Sequence, residues 1–169
     1  MPTLWNRVRQ QVAAWAASAA RPPFERTICD CRECKSFCKT KPGALIPSDV
    51  PRIAARLVEL KLIDREETVG EFLRATHAST VFDRDLGKQV QIKKIGPARN
   101  RKGRCDFLDE SDRCLIHGVS PFGCAYFDAH MPKAEAERRW IWGLSQIRSS
   151  AEYQALRETL RLAEGGKNE

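Results

Sequence analysis

The chain has 169 residues, of which 42% are hydrophobic and 30% charged, proportions that fit one ordinary globular domain with helical extensions. No apolar run approaches the ~20 residues of a membrane helix, so a membrane-spanning role is set aside and a cytoplasmic location is expected. The formal net charge of +7 admits nucleic acid or an acidic protein as a partner without selecting either.

Residues 3–20 are expected to form a helix, because Leu4, Val8, Val12 and Trp15 recur three or four apart with Trp5 beside them. This start is too alanine-rich for the greasy centre of a secretory leader. Arg21-Pro22-Pro23 ends the helix. After the first cysteines, Lys41-Pro42-Gly43 signals a turn. Ser48 reads as an N-cap with Asp49 in the first turn, ahead of the stripe Val50, Ile53, Ala54, Leu57 and Leu60. A short helix is expected from Thr68, with Glu71 completing a capping box and Phe72 and Leu73 as its apolar contribution. His77 would lie at its end.

The hydrophobic period then changes. Thr80-Val81-Phe82 and Gln89-Val90-Gln91-Ile92 suit strands, with a turn from Asp83 to Gly87. From Lys88 to Arg104 there are seven lysines and arginines and no acid, which reads as a solvated basic loop. Cys105 to Leu108 and Arg113 to Ile116 flank the polar turn Asp109–Asp112, a small hairpin with Cys105 and Cys114 near its ends. Pro132 suits the start of a helix carrying Trp140, Ile141, Leu144 and Ile147. Ser149 with Glu152 forms another capping box, followed by Tyr153, Leu156 and Leu160, and Gly165-Gly166 stops the last helix. The expected fold class is α+β: a small, mostly helical domain with one or two short hairpins around a cysteine-ligated metal centre. Its parts are an N-terminal helix (1–24), a cysteine-cluster metal-binding domain (25–131) and a helical extension packed on it (132–169).

Six of the seven cysteines fall in two sets, Cys31, Cys34 and Cys38, then Cys105, Cys114 and Cys124, separated by 66 residues without one. Cys29 is additional. Disulfides are the competing reading, but the count is odd and the chain is long enough to bury a core without staples. Thiolates are soft ligands that select zinc, copper(I) or iron–sulfur clusters. Cys31 and Cys34 form the strongest local pair, and Cys38 is one helical turn further on. Three thiolates leave a metal under-coordinated, so the distant set is expected to complete a shared centre. Two zincs sharing ligands, one iron–sulfur cluster with spare cysteines, and one metal plus a redox pair all fit the spacing.

The order Cys31-x-x-Cys34-x-x-Phe37-Cys38, then Cys105-Asp-Phe107-Leu108, then Cys114-Leu-Ile116-His117, then Pro121-Phe-Gly-Cys124 resembles the zinc- or iron-chelating cysteine-cluster proteins, the YkgJ-like or CxxCxxCC family. The resemblance covers residues 29–127. It implies metal or iron–sulfur binding in a bacterial cytosolic protein, with Cys31, Cys34, Cys38, Cys105, Cys114 and Cys124 as matching ligand positions. The family's cysteine doublet is here Phe37-Cys38, and Cys29 is placed to replace the lost thiol.

His117 and His130 could ligate the metal or donate to a sulfur, although packed or surface histidines are commoner. Tyr126 and Asp128 could serve acid–base chemistry, although local hydrogen bonding is the commoner role. The basic stretch is expected to balance the negative charge of the thiolates. The leading functional expectation is an iron–sulfur cluster or iron held by thiolates, with redox chemistry and an electron-transfer or other protein partner. The alternative is a zinc-stabilised binding module whose basic face meets a protein or nucleic acid. Whether the protein is an enzyme stays open.

Overall fold

A computed structural model describes residues 21–165 except 28, 30, 65 and 84–86, with backbone alone for 66–68, 77–79, 81–83 and 165. The expected helix over residues 3–20, with Trp5 and Trp15, lies outside the described residues, as do Thr68's capping role and most of the Asp83–Gly87 turn. The described chain contains five α-helices: α1 (Arg32–Thr40), α2 (Asp49–Glu59), α3 (Phe122–Ala125), α4 (Lys133–Ser149) and α5 (Ala151–Gly165). One antiparallel hairpin, β1 (Leu73–Asp83) and β2 (Lys88–Pro97), completes an α+β fold that is mostly helical. Among the described residues no helix is long and apolar enough to cross a membrane.

The hairpin is longer than the sequence predicts. Leu73 pairs with Pro97 and Thr80 with Gln91, with an irregularity between Thr76 and Ser79. Pairing therefore takes in Leu73, which the sequence assigns to a helix, and His77 sits in β1. The expected helix from Thr68 is a 3₁₀ segment, Glu66–Phe72, that runs directly into β1. Much of the expected basic loop is β2, in which Ile92 and Ile95 are buried and Val90 packs against the core, while Lys88 and Lys93 are exposed and Lys94 is half-buried over the Trp140 ring.

Helix α2 buries Val50, Ile53, Ala54 and Leu57, the stripe its spacing predicts. Its start differs from expectation. The Ser48 side chain caps nothing, and the buried Asp49 carboxylate accepts the N–H of Ile46 at 2.9 Å and that of Phe122 at 2.7 Å. Its other oxygen pairs with Arg52. Burial drives this carboxyl up and the Ile46 amide and Arg52 oppose that shift. One buried acid thus fastens residues 46–49 to α3.

Helices α4 and α5 close the other side. Tyr153, fully buried on α5, donates its hydroxyl to Leu45 O at 2.7 Å and accepts the Ile95 N–H at 2.7 Å. Leu45 N–H in turn donates to Ile95 O at 2.9 Å. The cap of α5 is Ser150, whose Oγ accepts the Tyr153 N–H at 3.2 Å, one residue beyond the predicted Ser149. Ile141, expected on the apolar face of α4, is 65% exposed, while Gly143, Leu144 and Ile147 turn inward. Gly143 is needed there, because a Cβ would come 2.6 Å from the Phe122 ring. Phe122 is the hub of an aromatic cluster with Phe24, Tyr126, Phe127 and Trp142. Burying such a ring typically contributes about 3 kcal/mol.

Candidate metal centre

The segment before α1 is laid against the segment after α3. Thr27 N–H donates to Ala125 O at 2.8 Å, and its hydroxyl reaches Phe127 O at 3.3 Å. Arg26 donates to His117 O at 2.8 Å and to Ser120 Oγ at 3.0 Å. This track delivers Cys29 and Cys31 opposite residues 128–130. Cys31 occupies the N-cap of α1, where its sulfur accepts the Cys34 N–H at 3.4 Å, as a serine or aspartate oxygen would. One turn of helix brings Cys34 back to the same place, where its sulfur accepts the Ala129 N–H at 3.3 Å. Across from them, the Asp128 carboxylate accepts the His130 N–H at 2.8 Å, an Asx turn that holds the histidine backbone. His130 Nε2 lies 3.3 Å from Cys31 Sγ.

The result is a compact donor set. The sulfurs of Cys29, Cys31 and Cys34 and a ring nitrogen of His130 all lie within 4.8 Å of one another. Three thiols and an imidazole match one of the recurrent structural zinc sets. Its electrostatics favour ligation. The Cys34 amide and then His130 hold the Cys31 thiol down to about 6. The Ala129 amide favours the Cys34 thiolate, yet burial and the sulfurs of Cys29 and Cys31 raise its pKa to about 11. The hydrogen bond and charge of Cys31 raise the His130 pKa. Cys31 is thus poised to ionise first and in doing so holds the proton on Cys34, so a bound cation is what would let both sulfurs be thiolates together.

Sequence reasoning expects both cysteine sets at a single centre. The group just described contains none of Cys38, Cys105, Cys114 and Cys124. Cys38 is one turn beyond Cys34 on α1. Cys105 and Cys114 stand in isolated bridges, opposite Arg99 and Leu108 respectively, rather than in a regular second hairpin. Cys124 is on α3, where its sulfur accepts the Gly43 N–H at 3.1 Å. All seven cysteines are free thiols.

His130 is the donor that sequence reasoning rates below the cysteines. The signal for it is Asp128 two residues earlier, which fixes a tight turn beside the second cysteine set. His117 is exposed in a short 3₁₀ turn and lies outside the donor group. Tyr126 packs its ring 5.1 Å from that of Phe122 and its carbonyl accepts from Arg139 at 2.9 Å, both structural contacts. Burial raises the Cys114 thiol and Arg26 opposes that shift, while burial lowers Arg74 and the charge of Cys105 opposes it.

The family profile described as "Putative zinc- or iron-chelating domain", with the signature CxxCxxCC, matches residues 30–154. No curated protein and no solved structure matches the chain. The matched span covers most of the 169 residues and includes Cys31, Cys34 and His130 of the donor group, and on that ground the chain belongs to the CxxCxxCC family of zinc- or iron-chelating domains.

Proposed function

We propose that this protein holds one four-coordinate ion, zinc, through Cys29, Cys31, Cys34 and His130, and that the ion's role is to close the fold. The mutual spacing of the donors carries this reading. With Zn–S bonds of about 2.3 Å, tetrahedral ligand atoms stand roughly 3.8 Å apart, which the observed 4.8 Å limit accommodates with little movement. An iron–sulfur cluster places several iron and sulfide atoms between its thiolates and spreads them further. Four protein ligands fill a tetrahedral site and leave no position for a substrate, the mark of structural rather than catalytic zinc. Closure is the physical consequence, since Cys29, Cys31 and Cys34 come before the buried residues Leu45 to Tyr126 and His130 after them. Ligation worth on the order of 10 kcal/mol more than offsets the entropy of joining segments so distant in sequence.

The test is metal analysis of protein purified without oxygen and without added metal. Colourless protein with bound zinc that His130→Ala releases from this site supports the proposal. Brown protein with stoichiometric iron and sulfide overturns it in favour of a cluster.

A further inference from the structure

We propose that Cys31 and Cys34 are a reversible dithiol–disulfide pair, and that its oxidation by a hydroperoxide empties the metal centre. Ion release rests on the ligation proposed above, whereas the disulfide rests only on where the two sulfurs stand. Cys31-Arg32-Glu33-Cys34 is a C-x-x-C sequence laid across the start of the nine-residue helix α1, a setting in which redox-active dithiols recur. Cys31 is the N-cap and Cys34 the third helical residue, and side chains at these two positions reach toward one another in a capping box. Here the approach is made, since Cys34 N–H donates to Cys31 Sγ at 3.4 Å. The two sulfurs lie within 4.8 Å of one another. A disulfide needs its sulfurs about 2.05 Å apart, so a closing movement of under ~3 Å, shared between two side-chain rotations, makes the bond. Helix α1 contains no buried residue, so its first turn can adjust without disturbing the core.

A small oxidant can reach the pair. Cys29 and His130, which flank it in the donor group, are both exposed, whereas Cys105 is buried. The chemistry balances when written for the two thiols. One sulfur takes an oxygen from the peroxide and becomes a sulfenic acid, and the rest of the peroxide leaves as water. The second sulfur then attacks the first, the S–O bond breaks, and its oxygen leaves as a second water. The pair gives up two electrons and two protons, and the peroxide gains them. A dithiol reductant reverses the step by thiol–disulfide exchange. With Cys31 and Cys34 bonded to each other, the group keeps Cys29 and His130 as donors, too few to hold a four-coordinate ion. The ion that closes the fold is thereby made conditional on the redox state of one helical turn.

The experiment adds a small excess of hydrogen peroxide to the reduced full-length chain supplied with Zn²⁺, in the presence of a chromophoric chelator. The seven free thiols should fall by two as zinc is released. Trypsin cuts after Arg26, Arg32 and Lys35, so after the remaining thiols are blocked the mass map should show residues 27–32 joined to 33–35. Cys29→Ser should keep a joined mass and Cys34→Ser should lose it. Dithiothreitol should restore the thiols and the bound zinc. An unchanged thiol count, thiols lost to sulfinic acid without a joined mass, or a joined mass that Cys29→Ser abolishes overturns the pair. A joined mass formed with no zinc released leaves the pair standing and overturns the ligation it was to interrupt.

Discussion

The sulfur of Cys34 accepts the backbone N–H of Ala129 at 3.3 Å, a contact between residues 95 apart in sequence. Amides also donate to other cysteine sulfurs, Cys34 N–H to Cys31 and Gly43 N–H to Cys124. Amide donors lower the basicity of thiolates and fix their direction, the support that surrounds metal-bound sulfur. The backbone around the sulfurs is thus arranged as the surroundings of ligated metal are.

Chelation should loosen the whole domain. On the proposed ligation, stripping metal under reducing conditions removes the tie between residues 29–34 and 130, so the thermal midpoint should fall by well over the ~4 °C that 1 kcal/mol is worth in a domain of this size. Calorimetry before and after chelation, with zinc restored as a control, measures it. An unchanged midpoint would show that folding and ligation are independent.

Asp49→Ala should cost about 3 kcal/mol or more in urea unfolding. Its carboxylate satisfies two buried amides, on Ile46 and Phe122, and alanine leaves both without an acceptor. A change within 0.5 kcal/mol would mean that water replaces it.

Tyr153→Phe keeps the ring and removes only the hydroxyl that joins Leu45 O to the Ile95 N–H. Loss of about 1–3 kcal/mol follows, since both partners are buried. Hydrogen exchange at Ile95 should accelerate in the variant, and an unaltered rate would place its protection elsewhere.

Gly43→Ala should uncouple Cys124 from its amide donor. The new Cβ meets the Gly123 and Cys124 backbone at 2.0–2.4 Å, where no flexible side chain can yield. About 1–3 kcal/mol of stability should go. Wild-type stability would refute the close approach.

Glu135 supplies an acid-side prediction. Arg139 first, then Arg138, holds its carboxyl below the ordinary carboxylate range. The unfolded chain therefore takes up this proton at higher pH than the folded one. The contribution is present above the ordinary carboxylate pKa and is lost as pH falls through the folded value. Glu135→Gln should give a shallower loss of stability than wild type between about pH 5 and 3, read by the fluorescence of Trp140 and Trp142 on the same helix. Parallel curves would show the pair contributes nothing.

Legibility followed the physics of each segment. The α2 stripe, the strands and the last two helices were plain in the sequence because apolar period depends on local geometry alone. Cysteine spacing singled out Cys31 and Cys34 as the strongest local pair, which the structure brings together, and the family resemblance agrees with the profile match over residues 30–154. Three features were hidden because each depends on a distant partner. Asp49 reads as a helix-start residue until Phe122 arrives 73 positions later. His130 reads as one more surface histidine until Cys31 faces it. Which of the seven thiols enter the donor group follows from the segments the fold lays side by side, which spacing does not encode.

Helix α1 contains no buried residue, although it carries Cys34 and Cys38. Its outward side chains can consequently be exchanged at little cost to the interior so long as those two sulfurs stay. Phe37 illustrates this. It stands where the family signature has the first cysteine of its doublet, and it is 48% exposed. A side chain at this position faces solvent, so phenylalanine in place of a thiol leaves no hole in the interior, and Cys29 on the preceding loop stands in the donor group instead.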